Sequence, residues 1–128
     1  MNDCIFCKII SGQIPAYKVY EDGQCMAFLD IHPVSLGHML VVPKSHYEWM
    51  QDTPDDVLSH IMIKSKKLIN HMKESLPCDY VQVSVVGKDV PHFHVHLIPR
   101  TLDDTLKGWS TMIVDKKDFE QVLEKIKI

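Results

Sequence analysis

Residues 91–99, Pro-His-Phe-His-Val-His-Leu-Ile-Pro, set three histidines in strict alternation with apolar side chains. Successive side chains on extended backbone face opposite ways, so the run predicts a strand with His92, His94 and His96 on one face and Phe93, Val95 and Leu97 on the other. The apolar row requires a core behind it, and the histidine row requires something to act on. Neutral imidazole at about pH 7 is suited to proton transfer, covalent catalysis and metal binding alike. At roughly 3.3 Å per residue, His92 and His96 are anchored about 13 Å apart, too far for all three rings to share one metal ion comfortably. Two neighbouring rings could share a metal, or one could be a ligand while the others act on a substrate.

The remainder of the 128 residues supplies one domain's worth of chain, read as a single domain over 1–128. Its 45% hydrophobic and 24% charged residues are those of a globular protein rather than a disordered or fibrous one. A net charge of -3 offers no general attraction to nucleic acid or to an anionic membrane, so neither is expected as a partner. There is no apolar stretch of membrane-spanning length, and Met1-Asn2-Asp3-Cys4 lacks a basic region followed by an apolar one, so a cytoplasmic location is expected. Cys4 and Cys7 form a C-x2-C pair of the kind used for metal or redox chemistry, whereas Cys25 and Cys78 read as small apolar residues.

Periodicity predicts a short helix over 4–10, stopped by Ser11-Gly12. A hairpin of strands 18–21 and 25–29 follows, turning through Glu21-Asp22-Gly23-Gln24, and then a strand over 38–43. Thr53-Pro54-Asp55-Asp56 marks a helix start with a capping hydroxyl, and the helix is expected to reach about Glu74. Its buried stripe is Val57, Leu58, Ile61, Met62, Leu68, Ile69 and Met72. Lys64, Lys66, Lys67 and Lys73 read as a solvated face, and His60 and His71 as ordinary surface or packing residues. A strand over 80–86 turns through Gly87-Lys88-Asp89 into the histidine strand, which pairs with it antiparallel. Phe119, Val122, Leu123 and Ile126 mark a closing helix. The sum is an α+β domain, a mainly antiparallel sheet with helices packed on one side.

Residues His92 to Ile98 match at every position the pattern His-φ-His-φ-His-φ-φ, with φ apolar, that names the histidine triad (HIT) family. Residues 4–10, 28–31, 37–44 and His46 also resemble family segments in family order, so the resemblance covers most of residues 4–100. The branch it resembles is the Hint-like one. A HIT-like fold, a homodimer and hydrolysis or transfer at the α-phosphorus of a purine nucleotide conjugate are what this resemblance implies. The conjugates in question are phosphoramidates, acyl-nucleotides and dinucleoside polyphosphates.

By that resemblance His94 is the nucleophile and forms a nucleotidyl-histidine, which water then cleaves. His96 holds phosphate oxygens, and His38 supports the cluster. Asp30 accepts hydrogen bonds from the ribose hydroxyls, with Phe28 and Ile31 lining the base pocket. Cys4, Cys7, His46 and His92 match the positions at which many bacterial members bind a structural zinc ion, a closed tetrahedral set.

The chain departs from the pattern just before the histidines, where Gly87-Lys88-Asp89-Val90-Pro91 replaces the usual Gly-Gln-Ser or similar. The polar group expected to meet the leaving group is therefore Asp89, an anion. The usual asparagine of the preceding loop has no clear counterpart, with Ser84 the nearest candidate. These departures motivate a competing reading, a zinc-stabilised nucleotide-binding or protein-interaction module with little turnover. A redox role for Cys4 and Cys7 is weaker, since no βαβ pattern surrounds them. Gly108-Trp109-Ser110 reads either as a lid reaching a neighbouring site or as packing within its own chain.

Overall fold

Two continuous apolar runs, Cys25–Leu29 and Met39–Pro43, are buried at every position, as strands covered on both faces must be. In the computed structural model, which describes residues 3–128, they are β2 and β3 of one five-stranded sheet. β1 (Lys18–Glu21), β4 (Tyr80–Ser84) and β5 (Val95–Arg100) complete it in the order β1-β2-β3-β5-β4, every pair antiparallel.

Alternation then divides the sheet into two faces. Ala27, Leu29, Met39, Val41, Val95 and Leu97 face α2 (Asp55–Ser75) and α3 (Lys116–Ile126), meeting Ile61, Leu68 and Met72 of the first and Phe119, Val122 and Ile126 of the second. Removing each such large apolar side chain from water stabilises the fold by about 1.5–3 kcal/mol. Met26, Phe28, Leu40 and Val42 face the other way and pack against Phe6 of α1 (Ile5–Ile10). The two long helices thus share one side, and the short α1 covers part of the opposite side. Among the described residues no helix is long and apolar enough to cross a membrane.

Several local features differ from expectation. The histidine run is not strand throughout, because β5 begins at Val95. Upstream, the His92 N–H donates to the Val90 carbonyl and the Phe93 N–H to the Tyr47 carbonyl, so those amides are unavailable to a strand ladder. β4 ends at Ser84, two residues short of the expected end. Thr53 does not cap α2: a 3-10 turn at Met50–Asp52 intervenes, and the Thr53 hydroxyl donates back to the Trp49 carbonyl. Met62 is substantially exposed rather than part of the buried stripe.

His60 and His71 act as ties. The first donates to Asp22, and the second donates from Nε2 to the Ile126 carbonyl at 2.9 Å, joining α2 to the end of α3. Lys66, Lys67 and Lys73 are exposed as expected, while Lys64 lies over the Tyr20 ring. Gly37, just before β3, has φ +101°, and a Cβ there would sit 2.7 Å from Leu76 Cδ1, so both backbone conformation and space require glycine.

Candidate active site and metal centre

On the sheet face left partly open by α1 lies a cavity of about 630 Å³. Phe28, Asp30, Ile31, Asp89, His94 and His96 all line it. His38 and Ser84 do not. His38 stands behind His96, and Ser84 lies directly across from His96 in the β4/β5 register with its hydroxyl accepting from Gln82 Nε2. The three histidines of the run are all buried, with His92 fully enclosed.

Hydrogen bonds assign the tautomer of each ring, because a nitrogen that accepts cannot carry the proton. The Val34 N–H donates to His38 Nδ1 at 3.0 Å, so the His38 proton lies on Nε2. That N–H donates to His96 Nδ1 at 2.9 Å, which puts the proton of neutral His96 on its Nε2. His94 Nδ1–H donates to the His92 carbonyl at 2.7 Å, leaving a lone pair on His94 Nε2. Among the described residues every enclosed side-chain nitrogen and oxygen has a partner. Among the described residues the outer nitrogens of His94 and His96 have no protein partner, so they open onto the cavity their rings line. The result is one lone pair and one N–H donor side by side, with ring centroids 4.9 Å apart.

Electrostatics keep this cluster neutral. Burial pushes His38 down to about 3, reinforced by the neighbouring His96 and His94, and pushes His96 down to about 4. Burial also lowers His94, although its bond to the His92 carbonyl and the charges of Asp30 and Asp89 oppose the shift. Asp30 is raised by burial, partly offset by the His32 N–H that its carboxylate accepts at 2.8 Å.

The opposite side of His92 forms a second centre. Cys4 Sγ, Cys7 Sγ, His46 Nδ1 and His92 Nδ1 all lie within 4.8 Å of one another. The C-x2-C spacing produces this directly, since Cys4 caps α1 and Cys7 sits one turn later, its N–H donating to Cys4 Sγ. Nδ1 of His92 is 3.3 Å from Cys4 Sγ and 3.6 Å from Cys7 Sγ, and Nδ1 of His46 is 3.3 Å from Cys7 Sγ. A tetrahedral zinc ion with ordinary Zn–S and Zn–N bonds separates such donors by about 3.6 Å, so the set fits. His92 Nε2–H donates to the Pro43 carbonyl at 2.9 Å, which turns Nδ1 toward the thiols as a metal ligand requires. Burial, together with the adjacent Cys4, pushes the Cys7 thiol up to about 11, so a bound cation would be what ionises it at neutral pH.

Asp22, Cys25 and His60 also come together, but here the Asp22 carboxylate already accepts from the Gln24 and Cys25 N–H groups, the Tyr20 hydroxyl and His60. Those bonds outweigh burial and hold the acid well below its usual range. This group is a structural tie between the hairpin turn and α2.

Two aromatic residues complete the site: Phe6, to which the sequence pattern assigns no part in it, and Trp109, read there as a lid or as packing within its own chain. Phe6 lies edge-on to Phe28, His92 and His94, with its ring centroid 5.0 Å from that of His94. It falls within the short helix expected over 4–10, whose apolar spacing does not disclose what it packs against. Trp109 packs its ring edge-on to His96 of its own chain, with centroids 4.8 Å apart.

The chain is similar to known proteins along nearly its whole length. Residues 11–102 match the family model described as HIT domain. An uncharacterised HIT-like protein of Methanocaldococcus jannaschii is 44% identical over 130 residues, covering 97% of this chain and 98% of its own. An adenosine 5'-monophosphoramidase of Candida albicans is 36% identical, covering 97% and 89% respectively. Among solved structures, a Zn-bound histidine triad family protein from Mycobacterium smegmatis superposes with a TM-score of 0.86 at 28% identity, covering 98% of this chain and 94% of the other.

Proposed function

Since the chain belongs to the histidine triad family, we propose that it hydrolyses purine nucleotide conjugates at the α-phosphorus, with phosphoramidates as the leading class. One observation carries this reading: His94 Nδ1–H is tied to the His92 carbonyl, so the Nε2 lone pair faces the cavity.

Phe28 and Ile31 line the base pocket, and the Asp30 carboxylate accepts from the ribose hydroxyls. His94 Nε2 attacks phosphorus, and the P–N bond breaks with its electron pair going to the departing nitrogen, which takes a proton from cavity water. His96 Nε2–H donates to the phosphoryl oxygens as charge builds there, oriented by His38 from behind. Water then attacks phosphorus and the P–Nε2 bond returns its electrons to the ring. The proton released replaces the one the amine took, so conjugate and water become amine and nucleotide. Ser84 faces the same side from β4 and is a candidate outer contact.

Cys4, Cys7, His46 and His92 would hold zinc, which supplies a structural cross-link between the N-terminal segment and the approach to β5. Four free thiols suit a reducing compartment such as the cytoplasm. β4 is an edge strand with Tyr80 and Val83 exposed, continued by exposed Val85 and Val86, which supports a homodimer.

The test is incubation with adenosine 5'-phosphoramidate, following adenylate release and trapping the adenylyl adduct by mass spectrometry. His94→Ala is expected to lose the adduct and slow turnover on the order of 10⁴-fold. Turnover equal to that of the parent protein would sink the assignment. Nucleotide binding without turnover in the parent would favour the module reading.

A further inference from the structure

Besides its histidines, the cavity wall carries three charged side chains: Asp30, Lys88 and Asp89. Asp30 follows β2, whereas Lys88 and Asp89 belong to the β4–β5 connection. Both acids therefore line the same cavity as His94 and His96, from two different connections. With the sugar at Asp30 and the phosphorus at His94, as proposed above, Lys88 and Asp89 are the remaining charged side chains on the wall for an expelled group to meet.

That segment is held at both ends. Gly87, at φ +74°, lies so close against Trp49 that a Cβ would be 3.0 Å from the indole ring. On the other side the His92 N–H donates to the Val90 carbonyl, and the Phe93 N–H donates to the Tyr47 carbonyl at 2.6 Å. Asp89 thus sits on a pinned rim. Among the described residues its carboxylate has no ion-pair partner, and the adjacent Lys88 forms none with it.

We propose that Asp89 sorts substrates by the charge of the group they expel, favouring nucleotide phosphoramidates whose departing amine bears a second, cationic ammonium and disfavouring conjugates that expel an anion. This rests on the function proposed above. A carboxylate with no partner of its own attracts a nearby ammonium and repels a phosphate, sulfate or carboxylate at the same distance. Water at the rim screens the effect, which sets its scale at about fivefold per unit of charge.

Three adenosine 5'-phosphoramidates, formed with 1,3-diaminopropane, propylamine and β-alanine, present cationic, neutral and anionic expelled groups of similar size. The expected order of kcat/KM is cationic, neutral, anionic, with steps of about fivefold that shrink as salt is added. Asp89→Asn is expected to bring the three rates to within about twofold of one another, Asp89→Lys to reverse the order, and Asp89→Glu to restore it. Binding of the same three conjugates to His94→Ala, measured by calorimetry, gives the order without turnover. A charge order in binding with no turnover by the parent protein would sink the catalytic reading and keep this one. Turnover with the same charge order in parent and Asp89→Asn, or no binding of any conjugate, would overturn it.

Discussion

His92 serves two centres with different parts of itself. Its Nδ1 faces the thiols of Cys4 and Cys7, and its carbonyl accepts from His94 Nδ1. His38 plays a comparable supporting part without touching the cavity, since its Nε2–H determines which nitrogen of His96 carries a proton. Substituting His38→Ala removes that donor and lets His96 turn or exchange its proton. We expect kcat to fall on the order of 10²-fold with KM little changed, and His38→Gln, which can still donate, to recover part of the loss. Steady-state kinetics on an adenosine phosphoramidate would check this, and a rise in KM at constant kcat would contradict it. The histidines were legible in the sequence because imidazoles alternating with apolar residues have few other uses. Their tautomers were not, because they depend on main-chain groups of residues 34, 43 and 92 whose positions no side-chain pattern announces.

At the scale of elements, α1 shows how six helical residues can matter more than their length suggests. A helix this short is marginal in water on its own. Here it is held by Phe6 against Phe28 and by the Cys4–Cys7 turn against His46 and His92. Replacing both Cys4 and Cys7 with serine is expected to abolish zinc retention and to lower the thermal midpoint, read by elemental analysis and by calorimetry. Unchanged zinc content would place the metal elsewhere. The strands were legible from runs of apolar residues, and β2 and β3 fall at the positions their runs predict. What escaped was the start of β5, because period-two alternation continues through His92 and Phe93 while their N–H groups bond to Val90 and Tyr47. Thr53 misled for a similar reason: a cap sequence does not disclose that a 3-10 turn will claim its hydroxyl.

Across the whole molecule, the buried histidines couple folding to acidity. Folding lowers the pKa of His38 to about 3 and of His96 to about 4, and also lowers those of His92 and His94. As pH falls, the unfolded chain therefore takes up protons first, near its ordinary value of about 6.5. This contribution to stability is complete above about pH 6.5 and is lost as pH drops toward the folded-state values. The thermal midpoint at fixed ionic strength is expected to be level from about pH 8 to about pH 7 and to decline steadily toward about pH 4, whereas a flat profile would contradict it. The sheet and its helical cover were readable from periodicity, but the cavity was not, since Phe28 and Asp30 meet the histidines only through strand order. The proton that sets the chain of rings in order comes from the peptide group of Val34. Nineteen of the twenty amino acids carry that N–H, so the instruction is independent of the valine side chain, which is buried for its own packing, and proline is the one replacement that would erase it.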